Sequence, residues 1–138
     1  MNDMTLEMML SKPKVKVYIA SDIFSQERKD IINTDARVLR QMGFEVYVPH
    51  EHEIDYAHTL SNQVWARRVF QEDVAAIDGC DILYYICEGM TGDIGAAWEC
   101  GYAYAKGKRI RVEELHAEDK ISLMVAQTSE NEIKGYQS

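Results

Sequence analysis

This sequence predicts an α/β domain built on a parallel sheet, and three observations carry that expectation. Strand-like and helix-like patterns alternate at least three times between Lys14 and Glu113. One strand-length run, "DILYYIC" (Asp81 to Cys87), is apolar almost throughout, as strands buried on both faces are. Gly43 and Gly79 fall where two helical patterns stop. Alternating strands and helices bury their apolar faces best as one parallel sheet with helices on both sides. Right-handed crossovers then favour a single-domain, doubly wound, flavodoxin-like strand order.

The elements follow in chain order. "KVKVYIA" (Lys14 to Ala20) alternates and then turns apolar, a first strand that soon becomes buried. "ERKDIINTDARVLRQMG" places Ile32, Ala36, Leu39 and Met42 near helical spacing ahead of Gly43. "FEVYVP" (Phe44 to Pro49) reads as a second strand ended by proline, and His50 to Asn62 as a long polar loop. "QVWARRVFQEDVAAIDG" puts Trp65, Val69, Phe70, Val74 and Ile77 on one helix face. After the third strand comes a helix ending near Gly107, then "RIRVE" as a fourth strand, "KISLMVAQ" as a short helix and "NEIKGYQS" as a short last strand. Residues 1–14 carry acidic side chains and no sustained apolar segment, so they read as a short extension rather than a signal peptide, ahead of a domain over 15–138.

The chain's 138 residues, 46% of them hydrophobic, are enough for one domain with a real core. A net charge of −8 argues against a nucleic acid polymer as partner, which calls for clustered Lys and Arg. No apolar run is long enough to span a bilayer. Cys80, Cys87 and Cys100 form no CxxC pair, so structural thiols in a reduced, cytoplasmic chain are expected.

In such sheets ligands bind beyond the carboxyl ends of the strands, where the winding reverses. Here the loops at that place are "ASDIFS" and "EGMTGD", and the helix after the second holds Glu99. A solvent-facing glutamate is the ordinary explanation. Against it stand the apolar neighbours Trp98 and Cys100 and the small residues Ala96, Ala97, Gly101 and Ala103, which suggest a helix packed on more than one side. An ionised carboxylate in a dry pocket near a helix start is a nucleophile for a sugar's anomeric carbon. Retaining transfer then needs a second carboxyl that holds a proton, and Asp93 and Asp73 are both candidates. Carboxyls crowded into one pocket titrate together with at least one pKa raised. The sequence leaves open which of them keeps the proton. Tyr18, late in the first strand, could aim Glu99, and Phe24 could stack on a flat ligand, although core packing is the commoner fate of each.

Other clusters carry less. His50, His52 and His58 lie in a polar loop without a second anchored pair, which favours a solvated loop over a metal site. No Walker spacing and no G-x-G-x-x-G follow the strands, so no dinucleotide or other cofactor is expected. Cys100 has no partner His at a readable spacing and reads as an inert buried thiol.

The block "DIGAAWECGYAYAKGKRI" (Asp93 to Ile110) resembles the nucleoside 2-deoxyribosyltransferase family's D-x-G-x-x-x-E-x-G-x-A pattern. "VYIASDIF", "VWARRVFQEDVAAIDGCDILYYI" and, more weakly, "ISLM" follow the family's blocks in order. The resemblance implies that Glu99 takes the deoxyribosyl group, with Tyr18 positioning it and Asp73 helping to protonate the base. It implies substrate contacts for Asp93 at the sugar 5′-hydroxyl, Phe24 at the base, and Ser21 and Gly95 in the same loops. It also implies a homo-oligomer, dimer or hexamer, in which Ser122 and Met124 serve a neighbour's site, acting on 2′-deoxyribonucleosides and free nucleobases in nucleotide salvage. Many family transferases carry Asn where this chain has Ser122, and serine occurs there in the related deoxynucleoside monophosphate hydrolases. Two rivals to a transferase therefore remain open: a 5′-monophosphate N-glycosidase, and a nucleoside-binding sensor without turnover.

Overall fold

The computed structural model describes residues 5–6, 13–21, 25–52, 61–89, 93–116 and 120–134. Among them, four strands form one parallel sheet: β1 Lys16–Ala20, β2 Glu45–Tyr47, β3 Ile82–Cys87 and β4 Arg109–Glu114, ordered β2-β1-β3-β4. The helices are α1 Gln26–Gln41, α2 Asn62–Gly79, α3 Ile94–Ala105 and α4 Leu123–Thr128, with a single 3₁₀ turn at Pro49–Glu51.

The two inner strands are apolar on both faces because both faces are covered. Val17, Ile19, Ile82 and Ile86 meet Ile32 and Ala36 of α1. On the other face Tyr18, Ala20, Leu83, Tyr85 and Cys87 meet Ile77 of α2, Ala96, Cys100 and Ala103 of α3, and Ala126 of α4. This is the doubly wound arrangement that the alternation predicts, with the winding reversing between β1 and β3. Each long helix opens on a side-chain cap of the kind that satisfies its first free N–H groups. Ser25 accepts from Arg28 N at 3.1 Å, Ser61 from Val64 N at 3.2 Å, and Asp93 from Ala96 N at 2.9 Å. Gly43, at φ 99°, turns the chain out of α1 in a conformation that disfavours any side chain.

Three expectations need correction. Strand β2 spans only three residues, because Pro49 lacks an N–H and opens the 3₁₀ turn instead of continuing the ladder. Met42 caps α1 and lies 67% exposed, outside the stripe that buries Ile32 and Ala36. No strand forms in the described part of "NEIKGYQS", residues 131–134. Instead the Asn131 side chain accepts from Val112 N at 2.9 Å and donates to Val112 O at 3.0 Å. A side-chain amide offers the same donor and acceptor as a peptide, so it covers the β4 edge without a strand. Phe24, His58 and the loop Met90 to Gly92 lie outside the described residues, as do most of the first 14 and residues 135–138.

Candidate active site

The carboxyl end of β1 opens onto a cavity of about 650 Å³. Ser21 at the end of β1, Pro49, and the facing sides of α2 and α3 line it. Three carboxyl residues point to this one space: Asp73 from α2, Asp93 at the cap of α3, and Glu99 from the second turn of α3. No Lys or Arg is among the described residues that line it.

Tyr18 is wholly buried under this cavity, and its hydroxyl donates to Glu99 Oε2. Burial, with the neighbouring Glu99 and Asp73 charges, holds the phenol far above its ordinary range, so it remains a neutral donor. Glu99 is itself pushed up to about 7, mainly by burial; the Tyr18 hydrogen bond pulls the other way, and Asp73 and Asp93 add to the rise. Asp73 is pushed up to about 6 by burial and by Glu72, with His52 opposing. The carboxyls of Asp73, Asp93 and Glu99 therefore border one cavity, and the Asp73 and Asp93 charges add to the rise at Glu99.

Gly95 has a local reason to be glycine. A Cβ there would come within 3.0 Å of Asp93 Oδ2, the oxygen that caps the helix. The Ser21 hydroxyl is buried, borders the cavity and has no hydrogen-bond partner among the described residues. Ser122 and Met124 are not brought here: Ser122 caps α4 by accepting from Met124 N, and Met124 is 74% exposed. Cys100 is buried, bonded to Thr128, and raised by burial, which makes it an unreactive thiol. Near the cavity, His52 stacks on Tyr47 and His50 bonds Asn33. Among the described residues no group of three His, Cys, Asp or Glu could hold a metal ion. No described helix is long and apolar enough to cross a membrane.

Trp65, Val69, Phe70, Val74 and Ile77 share a face of α2, as the spacing predicts; of these Ile77 is buried, and the face forms one wall of the cavity. Trp98, on α3, continues this wall, tilted against Phe70 and stacked on Tyr102. The α3 helix packs on the sheet and against both α2 and α4, with Ala96, Cys100 and Ala103 in the core, while Ile94, Trp98 and Tyr104 are exposed and Gly101 has open space beside it.

The family model for nucleoside 2-deoxyribosyltransferases matches residues 17–130. The chain belongs to that family. It is an enzyme of the deoxyribosyltransferase type, and solved structures agree. A 2-deoxyribosyltransferase from the psychrotolerant bacterium Bacillus psychrosaccharolyticus is 30% identical, superposes with a TM-score of 0.76, and is matched over 83% of this chain and 82% of its own. The CMP N-glycosidase of Clostridium botulinum is 25% identical with a TM-score of 0.51, over 70% of this chain and 69% of its own. A 2-deoxyribosyltransferase from Leishmania mexicana, 22% identical with a TM-score of 0.57 over 75% of this chain and 66% of its own, shares the fold. No curated protein sequence matches the chain.

Proposed function

We propose that this deoxyribosyltransferase moves 2-deoxyribose from one nucleobase to another through a covalent intermediate on Glu99. The observation that carries the reading is the Tyr18–Glu99 hydrogen bond beneath a cavity that also holds Asp73. In the competent form Glu99 is ionised and Asp73 protonated. Glu99 attacks C1′ as the C1′–N bond breaks, and the departing base takes its proton from Asp73. A second base attacks C1′ from the face the first one left, passes its proton to Asp73 and frees Glu99, so configuration is retained. The absence of an electron-withdrawing 2′-hydroxyl eases charge build-up at C1′. Asp93 and Ser21 would take the 5′-hydroxyl side, and Phe24 would stack on the base.

The competing reading is hydrolysis of a deoxynucleoside 5′-monophosphate, which the likeness to a CMP N-glycosidase favours. Charge favours the nucleoside: a phosphate would bring about two negative charges into a cavity lined by carboxyls and no described cation. Deoxyinosine with adenine should yield deoxyadenosine, and deoxyinosine alone should release little hypoxanthine. Base release without acceptor, or a preference for the monophosphate by kcat/KM, would favour the hydrolase. No reaction in either case would favour a sensor.

The exposed Ile94, Trp98, Leu123 and Met124 support an oligomer in which Ser122 and Met124 of a second copy close the cavity. Sedimentation should find a dimer or larger, with activity lost on dilution to monomers; a fully active monomer would remove that role.

A further inference from the structure

The hydrogen bond from Tyr18 to Glu99 depends on where the Tyr18 ring is held. Tyr18 and Tyr47 are register partners on β1 and β2, so their side chains leave the same face of the sheet. Their rings stack, with centroids 5.5 Å apart and planes 11° apart. Tyr47 lies on the edge strand, where no further strand among the described residues supports its outer side. The 3₁₀ turn Pro49–Glu51 folds the chain back there, and the His52 ring lies on Tyr47 with centroids 4.1 Å and planes 2° apart. Three parallel rings thus run from Glu99 to the rim of a second hollow of about 580 Å³ beside β2.

We propose that Tyr47, clamped by His52, is a positioning residue: its ring fixes the plane of Tyr18 and so keeps the Tyr18 hydroxyl aimed at Glu99. The inference rests on Glu99 acting as the nucleophile proposed above. An aliphatic side chain of similar volume at position 47 would fill the space but would not impose a ring plane. Stacked aromatic pairs favour defined offsets and tilts, which is what a pointing device needs. The charged groups around the stack are Lys16 from β1, Glu45 from β2, Glu51 from the turn, and Glu72 and Asp73 from α2. Burial and then Asp73, Glu72 and Glu99 push Tyr47 up to about 12, so the ring is a neutral phenol at working pH.

The test compares Tyr47→Phe, which keeps the ring, with Tyr47→Leu, which does not. The readout is the carbon-13 titration of the Glu99 carboxyl in the substrate-free protein, beside kcat and KM for transfer. The Tyr18 bond favours ionised Glu99, so Tyr47→Leu should move the Glu99 midpoint to higher pH. It should lower kcat about tenfold with KM little changed, given that ~1 Å of misplacement can cost ~10²-fold. Tyr47→Phe should titrate and turn over like the wild type. An unmoved or lowered Glu99 midpoint in Tyr47→Leu, or a Tyr47→Phe variant as impaired as Tyr47→Leu, overturns the proposal.

Should Tyr47→Leu fail to fold, His52 decides. His52→Phe keeps a ring without the imidazole nitrogens, and His52→Ala removes the ring as well, so their difference reports the clamp alone. Glu99 should titrate higher in His52→Ala than in His52→Phe, and equal midpoints overturn the proposal. The titration needs no turnover: if the midpoints move as expected while wild type transfers no deoxyribose, the positioning stands and the proposed reaction falls.

Discussion

Two tyrosine–glutamate pairs sit on opposite faces of one sheet, each with an aspartate from a helix beside it. On the α3 face Tyr18 donates to Glu99 and Asp73 lies close by. On the α1 face Tyr84 of β3 donates to Glu113 of β4 at 3.1 Å, and Asp35 of α1 hydrogen-bonds Glu113. Asp35 is pushed up to about 7 by burial and by Glu113, as far as Glu99 is. A perturbed carboxyl pair under a tyrosine therefore does not by itself mark an active site. What differs is what surrounds each pair. Tyr18 is wholly buried beneath a 650 Å³ cavity walled by apolar α2 and α3 side chains. Tyr84 is only half-buried, with Arg111 near enough to offset its negative neighbours. The hollow at Asp35 is lined by Glu27, Asp30, Ile31 and Thr34 of its own helix, with no second apolar wall. The first pair faces a space that can exclude water around a substrate; the second ties α1 to β4.

The sharpest way to break this comparison is to remove each glutamate. Glu99→Gln should lose transfer on the order of 10⁴-fold or more, as loss of a nucleophile does. Glu113→Gln should stay within about threefold of wild type. Steady-state transfer assays read both, and mass spectrometry of wild type with deoxynucleoside should find the deoxyribosyl group on Glu99. Near-normal turnover by Glu99→Gln would end the proposed mechanism, and a large loss in Glu113→Gln would show that the second pair also serves catalysis.

The aspartates sharpen it further. Asp73→Asn should slow transfer by about 10²- to 10⁴-fold, the usual range for a general acid. The effect should be smaller for bases that leave well unaided. Wild-type kcat/KM should peak between about 6 and about 7 and fall as pH drops through the lower value or rises through the upper one, as one bell belonging to the Glu99–Asp73 pair. Asp73→Asn should lose the alkaline limb, and Asp35→Asn should keep both limbs. An unchanged pH profile in Asp73→Asn would assign the proton donor to another group.

The same contrast shows what was legible in the sequence. The run Asp93 to Glu99 is local, so its spacing alone places a cap, a glycine and a carboxylate on one helix start. The alternation of patterns likewise determines the strand order, because a parallel sheet leaves few ways to wind. Periodicity identifies a face but not what covers it. Trp65, Phe70 and Val74 have the spacing of a core face and line a cavity instead, with Trp98 of α3 against Phe70. The Tyr18–Tyr47–His52 stack needs strand register and a returning turn, neither of which any local pattern encodes. The pairing of Asp35 with Glu113 joins residues far apart in the chain for the same reason.

The smallest expected effect concerns stability, where the two pairs should behave alike. Glu99 moves from 4.5 to about 7 on folding, and Asp35 from 3.8 to about 7. A carboxyl whose folded pKa is raised holds its proton in the native state after the unfolded chain has released it. Its stabilising share is therefore complete below the unfolded value and is lost as pH rises through the folded one. Wild-type Tm should fall between about pH 4 and pH 7 on this account. Glu99→Gln and Asp35→Asn, which cannot ionise, should each flatten that fall and melt higher than wild type at pH 8. Asp35 is the nearer of the two to solvent, and water screens its interactions, so its effect should be the smaller. Calorimetry at pH 5 and pH 8 separates the outcomes. A Glu99→Gln variant that gains nothing at pH 8 would mean that Glu99 is not held in a dry site. An Asp35→Asn variant with wild-type Tm at both pH values would mean that no proton is retained between Asp35 and Glu113, and the likeness of the two pairs would reduce to their shared geometry.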